Sequence, residues 1–140
     1  MTAARLRSIA LWALQAFLAL FFAFASGAPK LLLPIDALPM PLPLPELFIR
    51  CIGICEVLGA LGLILPLAFH VKPRLTPIAA VCLVALTLCA ATYQLLAGQP
   101  ANAVFALVMG GLCAIVAVAR WRTTAPAQAQ LSVPAAAVAH

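Results

Sequence analysis

The stretch Leu47-Phe48-Ile49-Arg50-Cys51-Ile52-Gly53-Ile54-Cys55-Glu56-Val57-Leu58-Gly59-Ala60-Leu61-Gly62-Leu63-Ile64-Leu65-Pro66-Leu67-Ala68-Phe69 decides the fold. Only two of its residues, Arg50 and Glu56, are charged. A bilayer core about 30 Å thick needs roughly 20 mostly apolar helical residues to cross it. The apolar positions show no period of two, so a transmembrane barrel fits poorly, whereas a helix satisfies every backbone group internally, as lipid demands. Glu56 falls near the middle of the span. An ionisable group there costs on the order of 3 kcal/mol unless it is paired or wetted, which makes it a candidate functional residue. The structural alternative is a protonated carboxyl that hydrogen-bonds between helices.

Arg50 precedes Glu56 by six residues, about 9 Å nearer the outer surface and about 120° around the helix, so the two do not form an i,i+4 pair. They flank Gly53, where backbone or ligand can approach closely. Gly53, Glu56 and Ala60 share one face with Gly59 beside it, and that face is expected to look inward.

Three further stretches reach spanning length: Ser8 to Ala28, Leu75 to Ala97, and Ala101 to Ala119, which stops at Arg120-Trp121-Arg122. The expectation is an all-α bundle of four transmembrane helices in residues 1–122, with spans at about 8–28, 47–69, 75–97 and 101–119. A disordered cytoplasmic tail of residues 123–140 would follow. Gly27 and Pro29 are expected to close the first helix. Pro77 fits a first turn, and Asn102 fits a cap on the last helix.

Composition agrees. The chain of 140 residues is 66% hydrophobic and 8% charged, against about half and about a quarter in soluble domains. A water-soluble globule is excluded, and so is a disordered chain, which would be poor in apolar residues. The net charge of +5 comes from basic residues scattered in ones and twos, so no nucleic-acid footprint forms.

Arg5, Arg7, Lys72, Arg74, Arg120 and Arg122 fall on one side of a four-span topology, and Lys30 alone, beside Asp36 and Glu46, on the other. The positive-inside rule then places both termini in the cytoplasm. A cleavable signal peptide ending at Ala23-Phe24-Ala25 is the rival reading, but the apolar run exceeds the usual h-region, and its loss would break this symmetry.

Residues 29–46 form the one long loop, and six of those eighteen are Pro. From Leu38 to Pro45 the chain should be extended and polyproline-like. It is read as a stiff connector near the headgroups, with a lid over the outer mouth as the sharper alternative.

Matching depths between spans sets Arg50 level with Ser26, Thr92, Tyr93 and Gln94, Lys30 level with Glu46, and Thr87 nearest to Glu56. A polar pocket opening outward, with Glu56 at its bottom, is the inference. Its candidate ligand-binding residues are Glu56, Arg50, Gly53, Lys30, Tyr93 and Gln94. His70 and His140 stand alone, and no metal set is expected. Cys51, Cys55, Cys82, Cys89 and Cys113 all lie in spans and are read as small apolar residues, with a redox-active pair of Cys51 and Cys55 as the alternative. Cys51 and Cys55, four apart on one helix, suit a disulfide poorly. Ala106, Gly110 and Ala114 form a stripe for close helix packing.

These residues carry a family resemblance. Arg50-Cys51-Ile52-Gly53-Ile54-Cys55-Glu56-Val57-Leu58-Gly59-Ala60-Leu61-Gly62-Leu63 resembles the second-helix signature of DoxX-like membrane proteins. Gly27 with Lys30 is similar to that family's Gly-x-x-Lys element, and Cys89-Ala90-Ala91-Thr92-Tyr93-Gln94-Leu95 to its third-helix motif. Two positions depart: Cys89 stands where members often have Gly, and Gln94 where they often have His, which removes an obvious titrating partner. The resemblance implies a four-helix bundle in the bacterial cytoplasmic membrane and a link with quinone or thiol redox systems.

The expected role is an accessory or quinone- or lipid-binding subunit of a membrane redox system, with a membrane or soluble redox partner and homo-oligomerisation left open. A small proton-coupled transporter and a non-catalytic scaffold or assembly factor are the alternatives. Autonomous catalysis is not expected, since the chain has no nucleophile–base pair, metal set or cofactor fingerprint.

Overall fold

A computed structural model of the chain describes residues 2–72 and 74–131. Helix α1 (Ala3–Leu20) runs without a break through a π-helical segment (Phe21–Gly27) into α2 (Ala28–Leu32). A 3-10 turn at Ile35–Ala37 follows, then α3 (Glu46–Ala68), α4 (Leu75–Leu96) and α5 (Pro100–Leu131). Among the described residues, four passes are long and apolar enough to cross a membrane, at Ala3–Leu32, Glu46–Ala68, Leu75–Leu96 and Pro100–Thr124. The described residues contain no strand.

The first pass corrects one expectation. Gly27 and Pro29 do not end the helix, which continues to Leu32. In the π-helical segment the hydrogen bonds reach one residue further back, as when Ala28 N–H donates to the Ala23 carbonyl. The ordinary ladder is therefore already opened where Pro29 has no N–H to give, and Pro29 sits in the first turn of α2. Lys30 is carried on a helix rather than in a loop.

The last pass corrects another. The helix runs past Arg120-Trp121-Arg122 to Leu131, and the hydroxyls of Thr123 and Thr124 each donate to the Arg120 carbonyl at 2.9 Å. Hydropathy marks where lipid contact ends and not where helical hydrogen bonding ends. Residues 132–140 of the expected tail, His140 among them, lie outside the described residues. Nor does Asn102 cap α5: Pro100 takes the first helical position, where its missing N–H costs little, and Asn102 donates to the Gln99 side chain at 2.7 Å. Between α4 and α5, Gly98 adopts φ +71°, and the Gln99 N–H returns to the Gln94 carbonyl at 2.8 Å. Only glycine takes that left-handed turn without strain.

In the bundle α3 lies between the first pass and α4, while α5 packs along α4 and closes back on α1. The core gathers Leu18, Phe22, Leu63, Leu83, Met109, Cys113 and Val116. Small residues let the backbones approach, as in membrane bundles generally. A Cβ at Gly59 would meet Leu83, one at Gly62 would meet Ala79, and one at Gly110 would meet Thr87. Gly53, Glu56, Gly59, Ala60 and Leu63 are all buried, so the face expected to look inward does so. Large apolar side chains such as Phe24, Leu47 and Leu96 are 70–77% exposed on the outside. A surface so rich in exposed apolar groups belongs in lipid.

Candidate functional site

The site begins with two glycines. A Cβ at Gly27 would stand 2.7 Å from the Phe22 carbonyl oxygen, 2.8 Å from Val57 Cγ2 and 3.1 Å from the Gly53 carbonyl oxygen. A Cβ at Gly53 would stand 3.0 Å from Lys30 Cβ and 3.2 Å from the Gly27 carbonyl oxygen. The first pass and α3 thus cross almost backbone to backbone. That crossing brings the stem of Lys30 over α3, close enough for its ammonium to reach inward to Glu56.

Lys30 Nζ donates to both carboxylate oxygens of Glu56, at 2.7 Å to Oε1 and 2.6 Å to Oε2. Ser26 Oγ donates to Glu56 Oε1 at 2.9 Å and accepts from Lys30 Nζ at 3.0 Å. The Lys30 side chain is 27% exposed and that of Glu56 8%. A buried carboxylate is costly unless a cation and hydrogen bonds offset its lost hydration, and here both oxygens have such partners.

Arg50 completes the arrangement. Its Nη1 donates to the Lys30 carbonyl at 2.6 Å, placing a cation at the C-terminal end of α2, where the helix dipole favours one. Its Nη2 donates to Glu46 Oε1 at 3.2 Å, an i,i+4 pair on α3. The structure therefore re-pairs the charges. Depth matching joined Lys30 to Glu46; instead Lys30 turns inward to Glu56, and Glu46 takes Arg50. Glu46, 67% exposed in its side chain, has little need of a partner, whereas Glu56 does.

Other expectations are revised. Thr87 makes no hydrogen bond to Glu56; its hydroxyl donates to the Val84 carbonyl of its own helix at 2.8 Å. Tyr93 fastens the Pro-rich loop, its hydroxyl donating to the Leu42 carbonyl at 2.7 Å and accepting from the Leu42 N–H at 3.0 Å. Lys30, Arg50, Gly53 and Glu56 stand together, while Tyr93 and Gln94 have no hydrogen bond to any of them. The Gln94 Oε1 is buried with no partner. Where the sequence reading expected a pocket in front of Glu56, the side chains of Lys30 and Ser26 lie.

All five cysteines are free thiols: Cys51, Cys55, Cys82 and Cys89 lie exposed on the outside of the bundle, and Cys113 is buried. No group of three or more His, Cys, Asp or Glu side chains stands close enough to hold a metal ion among the described residues.

A second polar cluster, at the opposite end, escaped the sequence reading. Gln15, fully buried, donates from Nε2 to the Leu63 carbonyl at 2.6 Å. Its Oε1 accepts from Arg120 Nε at 2.8 Å and also from Nη2. The Arg120 guanidinium lies 5.5 Å from the centre of the Trp12 ring, within cation–π range. The available signal was Gln15 itself, the one strongly polar residue in the middle of the first span.

Comparison with known proteins adds one match. A family model described as the DoxX-like family matches residues 13–119. No curated protein and no solved structure matches the chain.

Proposed function

The chain belongs to the DoxX-like family, and on that premise we propose that it serves as an accessory subunit of a membrane redox system, holding a quinone or a lipid head group at the Glu46 end of the bundle. The observation that carries the reading is the neutralised pair of Lys30 and Glu56, whose ammonium keeps a partly exposed edge. Lys30 and Arg50 offer N–H donors at that end. The buried and unpartnered Gln94 Oε1 is an acceptor of the kind a quinol hydroxyl needs. These donors and this acceptor are what supports a quinone head group at the rim of the bundle, in front of the pair rather than beside Glu56. When bound, a quinone would supply two-electron transfer, with electrons delivered by a membrane or soluble partner. The chain's own groups would bind it, orient it and exclude water; Tyr93 would hold the Pro-rich loop near the rim. Membership of the family suggests the bacterial cytoplasmic membrane, and the distribution of basic residues favours both termini inside.

One observation favours a second reading. Both oxygens of Glu56 are already bonded within the chain, as a fastening between helices would have them. In that reading the protein is a non-catalytic scaffold.

Quinone and lipid extraction from the purified wild type and from Arg50→Ala separates the two. Quinone retained by the wild type and lost from Arg50→Ala, with the helical content and melting temperature of both compared, supports the quinone reading. A wild type free of quinone, whose removal from cells still impairs assembly of a redox complex, overturns it in favour of the scaffold.

A further inference from the structure

A groove of about 640 Å³ runs between α1 and α5 at the end of the bundle opposite Glu46. Its walls include Leu11, Leu14, Ala114 and Val118, and Arg7 and Arg122 stand in its lining. We propose that this groove holds an anionic phospholipid, with an acyl chain against the apolar walls and the phosphate between Arg7 and Arg122.

Charge complementarity supports the occupant. The three acidic residues, Asp36, Glu46 and Glu56, all belong to the opposite half of the bundle. Arg5, Arg7, Lys72, Arg74, Arg120 and Arg122 occupy this end with no Asp or Glu side chain among them. Arg120 is not available to the groove, because it is 8% exposed and turned to Gln15 and Trp12. Arg7 and Arg122 are exposed, and the planar guanidinium suits the oxygens of a phosphate.

The dimensions match as well. Arg7 to Leu14 and Ala114 to Arg122 each cover about 10–12 Å along a helix. The groove therefore leads from the headgroup level into the hydrocarbon, polar at one end and apolar along the rest. Basic pockets between transmembrane helices bind acidic head groups for this reason. A second copy of the chain is the poorer occupant, since a twofold contact would set the same arginines against each other. The groove lies away from Lys30 and Glu56, so this proposal does not rest on the quinone reading.

The test is native mass spectrometry of the full chain titrated with phosphatidylglycerol or phosphatidylcholine of identical acyl chains. The wild type should bind one phosphatidylglycerol at least tenfold more tightly than phosphatidylcholine. Arg7→Ala with Arg122→Ala should weaken phosphatidylglycerol roughly 25-fold, from the typical contribution of two surface arginines. Arg5→Ala with Arg74→Ala, which removes equal charge from the same end but outside the groove, should stay within about threefold. Ala114→Phe should displace the lipid with both arginines intact. Equal loss in the two double variants would reduce the effect to diffuse surface charge and overturn the proposal. Retention by Arg7→Ala with Arg122→Ala would overturn it too, and so would a lipid-free wild-type dimer that Ala114→Phe dissociates.

Discussion

At the Glu46 end of this bundle a lysine meets a carboxylate; at the Arg120 end an arginine meets an amide. The first cluster joins consecutive passes and the second the first pass to the last, and each holds a residue that is less than a tenth exposed, Glu56 and Arg120. Lys30 and Glu56 cancel each other's charge. Arg120 keeps its charge, and its contacts with neighbouring groups are dipolar: the Gln15 amide oxygen and the face of Trp12. The difference follows from how the chain spends its three acidic residues. All lie toward one end, so cations there can be paired in-chain. Those at the other end have dipoles, water or an external anion, and the lipid groove follows from that imbalance.

The largest effect should come from unpairing the first cluster. Lys30→Ala leaves Glu56 buried without its cation, and the expected loss is about 3 kcal/mol. Glu56→Gln should cost only about 1 kcal/mol, because the freed ammonium can swing toward the interface on its flexible stem. Reversible unfolding in mixed micelles measures both, and equal losses would mean that the two groups are equally exposed to relief.

At the other end, Gln15→Leu deletes the bonds to Arg120 and to the Leu63 carbonyl. Hydrogen bonds to a charged group are typically worth about 1.5–3 kcal/mol, and a loss near 2 kcal/mol is expected in the same assay. A neutral result would show that Trp12 and the headgroups suffice for Arg120.

Gly27→Ala tests the crossing that lets Lys30 reach inward. Overpacking against the Phe22 carbonyl and Val57 should cost about 1.5 kcal/mol and shift the distance between spin labels on the first pass and α3. An unchanged distance and stability would refute the close crossing. The smallest effect belongs to Tyr93→Phe, about 1 kcal/mol for its bonds to Leu42. It should be seen as faster amide exchange at Leu42, with the helices unaffected.

Much of the fold was legible because hydropathy and helical period report directly on lipid exposure. The second and third passes start and stop within a residue of where the apolar runs do, and the small-residue face around Gly53 and Ala60 identified the buried side of α3. The pairing of Glu56 was not legible. Gly27 and Pro29 are ordinary helix-ending signals, and only the π-helical segment, a tertiary accommodation, carries the helix past them. With Lys30 assigned to a loop, its level matched Glu46, and depth matching cannot see a long stem bending inward. Gln15 and Arg120 are 105 positions apart, and nothing local ties them together.

The most direct test of the central claim is a double-mutant cycle on Lys30→Met and Glu56→Gln in bilayer-mimetic micelles. A pair that clamps the first pass to α3 predicts a coupling of about 2 kcal/mol, the double variant being far more stable than the sum of the two losses implies. Losses that add to within about 0.5 kcal/mol would contradict it, leaving Glu56 without the partner on which this account depends.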